Sequence, residues 1–316
     1  LNKLSFYITI IMVIRPNQHW FFRLFDWHGS VLSKIIFRLC LNIAMSIIAI
    51  LVYQWYELLG IHLTVAPFSL LGIAIAIFLG FRNNASYSRL VEARTLWGNM
   101  LITHRNILRN IKALLPEDKQ FNRDFSNLLI AFSWSLKHEL RKTNPMVDLY
   151  RLLPRPLFDE IMNSPYPTNR ILLHIGLKIG ELRDNKVISD VIFQSINKDI
   201  NNLSDVLGGC ERISNTPVPF AYTLILQRTV YLFCALLPFA LVADLHYMTP
   251  FVSVFISYTF LSWDSLAEEL EDPFGVSAND LPLNAICNTI ERNLLEMQDI
   301  TPLPIKVKPD QYYNLL

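Results

Sequence analysis

The sequence predicts an all-α integral membrane protein, with four membrane-crossing helices and a helical cytoplasmic region. Three observations carry that prediction. Apolar blocks near the two ends are long and almost free of charge, the charged residues gather in the middle, and apolar residues in that middle recur at helical spacing. Of the 316 residues 52% are apolar or aromatic and only 17% charged, against roughly a quarter charged in a soluble domain.

The chain opens with an apolar run from Leu4 to Ile14, too short to span a hydrocarbon core of roughly 30 Å as a helix. It continues as Arg15-Pro16-Asn17-Gln18 with no small-residue cleavage site. Residues 1–14 are therefore read as an N-terminal extension, with Met12 as the natural start, and stand outside the fold argument. Residues 15–81 hold a cytoplasmic N-terminal segment and two spans. The first span covers about 35–59, interrupted by Arg38, Asn42 and Gln54; the second covers about 68–81, without charge, and reaches back through Leu63. Pro67 stands at its mouth, where a first-turn proline costs no hydrogen bond. Residues 220–264 hold two more spans, about 222–242 with Gln227 and Arg228 inside, and about 248–263 ending at Asp264. A soluble helix needs a polar face, and residues 73–80 (IAIAIFLG) have none.

Basic residues orient these spans. The links 60–66 and 243–247 contain no Lys or Arg, whereas Arg15, Arg23 and Lys34 precede the first span and Arg82, Arg89 and Arg94 follow the second. The positive-inside rule puts both termini, residues 82–219 and the C-terminal segment 265–316 in the cytoplasm. Within 82–219, segments 96–115, 123–141, 167–183 and 187–207 show helical apolar spacing, separated by Pro116-Glu-Asp, Thr143-Asn-Pro and Asn163-Ser-Pro-Tyr-Pro. A helical cytoplasmic bundle is expected there.

The chemistry-bearing residues exclude more than they assert. A balance of 28 basic against 27 acidic residues argues against a nucleic-acid surface. Cys40, Cys210, Cys234 and Cys287 lack ligand-like spacing and read as reduced, buried thiols. The seven histidines are scattered and suggest no metal site. No nucleophile–base pattern appears, and Gly208-Gly209 lacks the rest of a phosphate loop. An enzyme is not expected.

In the second span Ile73, Ile77 and Phe81 are four apart and share one face. Gly72, Ala76 and Gly80 share the face about 100° away, where small side chains let helices pack closely. The bulky stripe either lines a central axis, as a constriction that gates by dewetting, or packs against other spans and lipid; spacing leaves both open. Four helices per chain are too few to enclose a roomy path, so any pore requires several subunits. Arg228, two turns into the third span, snorkels, makes a structural salt bridge or serves an ion path. Asp264, Glu268, Glu269, Glu271 and Asp272 cluster after the fourth span. They hold a cation, pair with Arg82 or Arg89, or cap the membrane exit.

Residues 81–97 (FRNNASYSRLVEARTLW), 217–222 (PVPFAY) and 267–275 (AEELEDPFG) together resemble the bestrophin family, in particular its bacterial branch, and the likeness runs from about Arg15 to Gln298. The resemblance implies a homopentamer around a central pore in the bacterial inner membrane, with the lipid bilayer and permeant monovalent ions as its other partners. It places the hydrophobic neck on Ile73, Ile77 and Phe81 and a cytosolic aperture on Val191. The calcium clasp of animal members starts with Asp-Pro-Phe-Gly, but here only Asp280 remains of the acidic run that follows. Calcium takes six to eight oxygen ligands, so no calcium or other cofactor is expected. Likeness to the bacterial branch favours cations such as sodium, with chloride as the alternative and a non-conducting membrane scaffold as the reading from another class.

Overall fold

The computed structural model describes residues 29–60, 63–115 and 117–309, together with Phe21 and Leu315. The expectations about the N-terminal extension, Met12, Arg15 and Arg23 fall outside those residues. All regular elements among the described residues are helical: α1 (Leu32–Leu58), α2 (Val65–Leu114), α3 (Lys119–Leu140), α4 (Met146–Leu152), α5 (Arg155–Met162), α6 (Pro167–Asp184), α7 (Asp190–Asn215), α8 (Phe220–Leu245), α9 (Thr249–Glu271) and α10 (Leu283–Met297). They divide into two compact units. One takes the described residues up to Leu90 with Pro217–Pro273; the other takes Val91–Thr216 and the described residues from Phe274 on.

In the first unit α1, α8 and α9 pack on one another. Their shared core is Ile35, Leu39, Val230, Phe233, Leu237, Leu241 and Leu261, joined by Ile75 and Leu79 of α2. Gly60, at φ 71°, ends the turn after α1 in a conformation only glycine adopts freely. Among the described residues, Leu32–Trp55, Val65–Leu114 and Phe220–Glu271 are long and apolar enough to cross a membrane. The last stretch is two helices. His246 takes φ 45°, residues 246–248 form a 3-10 turn, and Pro250 starts α9, so α8 and α9 turn back and pack together.

Asn42, which reads in sequence as an interruption of a greasy helix, ties the unit together. Pro238 lies inside α8 and has no N–H, so the carbonyl of Cys234 one turn earlier lacks its helical donor. The Asn42 amide donates to that carbonyl at 2.6 Å, and its Oδ1 accepts from Ser253 Oγ at 3.0 Å. One buried side chain thus joins α1, α8 and α9 and meets a need created by the proline.

The second unit is built around α3, which packs on α4, α6, α7 and α10. Asp118 caps it, accepting from the Phe121 N–H at 2.9 Å, and Phe125, Leu129, Phe132 and Leu136 fill its core. The sequence segments 123–141 and 167–183 correspond to α3 and α6. Three corrections follow. Segment 187–207 becomes α7, which begins after the Ser189 cap and runs on to Asn215 through Gly208-Gly209. Its helical burial continues at Cys210 and Ile213, and Gly209 is needed for close approach, because a Cβ there stands 2.8 Å from Leu96. Helices α4, α5 and α10 were not expected. Cys40 is exposed rather than buried, whereas Cys210, Cys234 and Cys287 are buried; all four are free thiols. Burial pushes the Cys210 thiol up to about 12 and the Cys287 thiol higher than an ordinary cysteine, which leaves both protonated.

A polar network crosses the second unit. Arg151 makes a bidentate pair with Glu291 at 2.5 and 2.7 Å, and Glu291 also accepts from Trp134 Nε1 at 2.8 Å. Asp148 lies 3.5 Å from Arg151 and 2.9 Å from His138 Nε2. Burial alone raises the Asp148 carboxyl, but the His138 hydrogen bond and the Arg151 and Lys137 charges outweigh it and hold it below the usual value.

Candidate functional site

Helix α2 carries the candidate stripe. Ile73, Ile77 and Phe81 are 61%, 53% and 62% exposed on the chain, while Ile75 and Leu79 are nearly fully buried in the first unit's core. Residues 73 and 75 differ by about 200° around the axis, so the helix is held by one side and offers the stripe on the other. Within the chain, packing rests on Ile75 and Leu79. Gly72 contributes by letting Phe233 come close, its Cβ position lying 3.5 Å from that ring, whereas Ala76 is exposed and the Gly80 Cβ position is open.

Directly below the stripe the anchoring turns from apolar to ionic. Arg82 is fully buried, and its Nη1 donates to the equally buried Asp264 Oδ1 at 2.5 Å, with Nη2 3.7 Å from Glu271 Oε2. Asn83 donates to the Trp263 carbonyl at 3.1 Å, and Arg89 Nε to the Glu271 carbonyl at 2.9 Å. The Glu271 carboxylate in turn accepts from the Val218 N–H at 3.2 Å. Two turns of α2 are thereby latched to the end of α9. Of the alternatives open for the acidic cluster, a carboxylate pair with Arg82 is present, while Arg89 bonds the Glu271 main chain. Glu269 pairs with Lys34 at 2.7 Å, and Asp272 is exposed.

The other candidates stand apart from that latch. Arg228 is exposed on α8 and lines an apolar groove. Val191 is 77% exposed near the start of α7, in the second unit. Asp280 is buried and accepts from the Ser277 N–H, closing a tight loop. Arg141 donates to the Phe274 and Leu281 carbonyls at 3.3 and 3.2 Å and so pins both ends of that segment. Among the described residues no group of three or more His, Cys, Asp or Glu side chains converges as a metal site. Sequence reasoning missed the Asn42 bridge, whose signal was an amide in one apolar block and a proline inside another.

The model of the bacterial and fungal bestrophin family matches residues 12–296. The chain belongs to the bestrophin family. This bestrophin is 57% identical over 304 residues to the voltage-dependent anion channel-forming protein YneE of Escherichia coli O157:H7, covering 96% of this chain and all of that one. A Ralstonia nicotianae protein with the same descriptive name is 42% identical over 282 residues, covering 89% of this chain and 92% of its own. A crystal structure of a bacterial bestrophin homologue from Klebsiella pneumoniae superimposes with a TM-score of 0.83 at 69% identity, covering 85% of this chain and all of that one. The expected preference for cations finds no support in these relatives, two of which carry an anion in their names.

Proposed function

We propose that this bestrophin is the subunit of a membrane ion channel that passes small monovalent anions such as chloride. One observation carries the reading. A charge-free bulky stripe, Ile73, Ile77 and Phe81, stands exposed on a helix whose opposite side is locked into the chain. An exposed apolar stripe needs a partner or a narrow axis, and rings of such residues gate by dewetting. The proposed architecture has four crossings on α1, the first part of α2, α8 and α9, with five copies around a pore in the bacterial inner membrane. Both termini, residues 82–219 and residues 265–316 lie on the cytoplasmic side, where Val191 forms a second aperture. The anion reading replaces sodium because the named relatives favour it. A channel of this kind needs no catalytic residues.

Purified protein in a planar bilayer is expected to conduct under asymmetric sodium chloride. Its current reverses near the chloride equilibrium potential, and Ile77→Ala changes its size. Reversal near the sodium potential overturns the anion assignment and keeps the channel. Silence of both proteins, with intact assemblies in the membrane, overturns the channel itself.

A further inference from the structure

On α8 the exposed residues Ile225, Arg228, Leu232 and Leu236 recur at spacings of three and four and so share one face. Beside it the start of α2 contributes Pro67, Phe68 and Leu71, and the two helices enclose a groove of 330 Å³ with Arg228 among its lining residues. The walls beyond Arg228 are almost wholly apolar. Arg228 has no hydrogen bond or ion pair among the described residues, and a guanidinium cannot shed its charge. An intramembrane arginine calls for an anionic partner.

Among the described residues the membrane helices supply none at that depth. Residues 32–56, 63–91, 217–243 and 245–263 contain no Asp or Glu. Asp244 lies 16 residues further along α8, about 24 Å away, and Asp264 is already held by Arg82. A second copy brings the same segments and the same lack. An acid at the cytoplasmic end of a span would meet the charge but leave the apolar walls bare, whereas the groove suits a partner that is anionic at one end and apolar along its length.

We propose that this groove holds an acyl chain of an acidic phospholipid of the cytoplasmic leaflet, with the phosphodiester on Arg228. The assignment rests on the topology proposed above. Arg228 lies 8 residues into α8 from Phe220, about 12 Å along the axis. Helical side chains lean toward the N-terminus, so its guanidinium reaches back to the cytoplasmic headgroup region. From Arg228 to Leu236 the apolar wall runs about 12 Å further into the membrane. Charge and hydrocarbon thus follow one another in the order a phospholipid needs.

Native mass spectrometry of the intact assembly tests this, after equilibration with phosphatidylglycerol and phosphatidylcholine of identical chains. The wild type is expected to retain phosphatidylglycerol in preference by roughly tenfold, equivalent to about 1.4 kcal/mol, because the choline ammonium of phosphatidylcholine offsets the phosphodiester charge that Arg228 faces whereas glycerol leaves it whole. Arg228→Gln brings the ratio near one. Leu232→Trp, which fills the groove, lowers retention of both lipids. Equal retention by the wild type, or a preference untouched by Arg228→Gln, overturns the proposal. So does displacement of the lipid by equimolar inorganic phosphate, which shows that charge alone is recognised. Efficient disulfide cross-linking between copies carrying Leu232→Cys overturns it as well, because the groove then faces a second subunit. Lipid retention requires no ion flux, so its failure and the failure of the channel reading are told apart.

Discussion

Replacing Asp264 by Asn leaves Arg82 as a fully buried cation without its carboxylate partner. Both side chains are completely buried and their atoms meet at 2.5 Å, so the charge cannot be rescued by water. Removing one partner of such a pair typically costs about 3–5 kcal/mol. Here Glu271, 3.7 Å from Nη2 and mostly buried, remains as a partial substitute and brings the expectation to the low end, about 3 kcal/mol. Replacing the pair by apolar groups of similar size is often neutral, so Arg82→Met with Asp264→Leu should be close to wild type. Scanning fluorimetry of the detergent-solubilised assembly reads the difference. At roughly 2 °C per kcal/mol for a chain of this size, Asp264→Asn lowers the unfolding midpoint by roughly 6 °C, and the double variant recovers most of that loss. The cycle has to show coupling of about 2 kcal/mol or more. Additive losses, or an Asp264→Asn midpoint equal to wild type, refute the claim that this pair anchors α2.

Two further perturbations follow from the buried polar groups. Asn42→Leu strips the Cys234 carbonyl of its donor beside Pro238 and is expected to cost about 1–3 kcal/mol; adding Pro238→Ala restores a helical N–H, so the thermal midpoint recovers in the double variant and falls further if the bridge is unimportant. Asp148→Asn probes the polar network of the second unit: because the native carboxyl is held below its unfolded value, its contribution is fully present above the ordinary carboxylate range and lost as pH falls through the lowered folded value. With Asp148 partly exposed, about 1 kcal/mol is expected at pH 7 after screening, so the wild type unfolds at higher temperature there, the two proteins converge below about pH 4, and a gap that persists unchanged at low pH counts against the His138–Asp148 bond.

The fold was most legible where composition was extreme. The apolar stretches of α1, α2, α8 and α9 stand out because no acid interrupts them, and the positions of Pro67 and Asp264 mark real helix ends or anchors. What lay hidden depended on partners distant in sequence. Asn42 looked like a flaw in a span because nothing local announces that it serves a carbonyl 192 residues away. Helices α4 and α5 are only 7 and 8 residues long, too short for an apolar period to repeat. The glycine pair at 208–209 lies just past the expected segment 187–207, yet the helix runs through it, with Gly209 set close against Leu96. At the candidate site, spacing singled out the Ile73–Phe81 stripe but not Ile75 and Leu79, which hold the helix within the chain. Small residues signalled close approach, whereas the chain uses Ile75 and Leu79, and leaves Ala76 exposed.

The neutrality of α2 extends well past the stripe and constrains how an ion's sign is chosen. Continuing from Ile73, Ile77 and Phe81 at spacings of three and four, the same face carries Asn84 and Ser88, both exposed and neither charged. That is about 22 Å of helix with a hydroxyl, an amide and hydrocarbon only. Arg82 adjoins Phe81 in sequence but points into the core, where Asp264 compensates it. A buried, paired charge offers no net field to an ion in the proposed pore on the other side. On the proposed anion reading, selectivity must then come from exposed basic residues off this face, and Asp264→Asn, which alters stability, should leave the reversal potential of any assembly that survives it where the wild type has it.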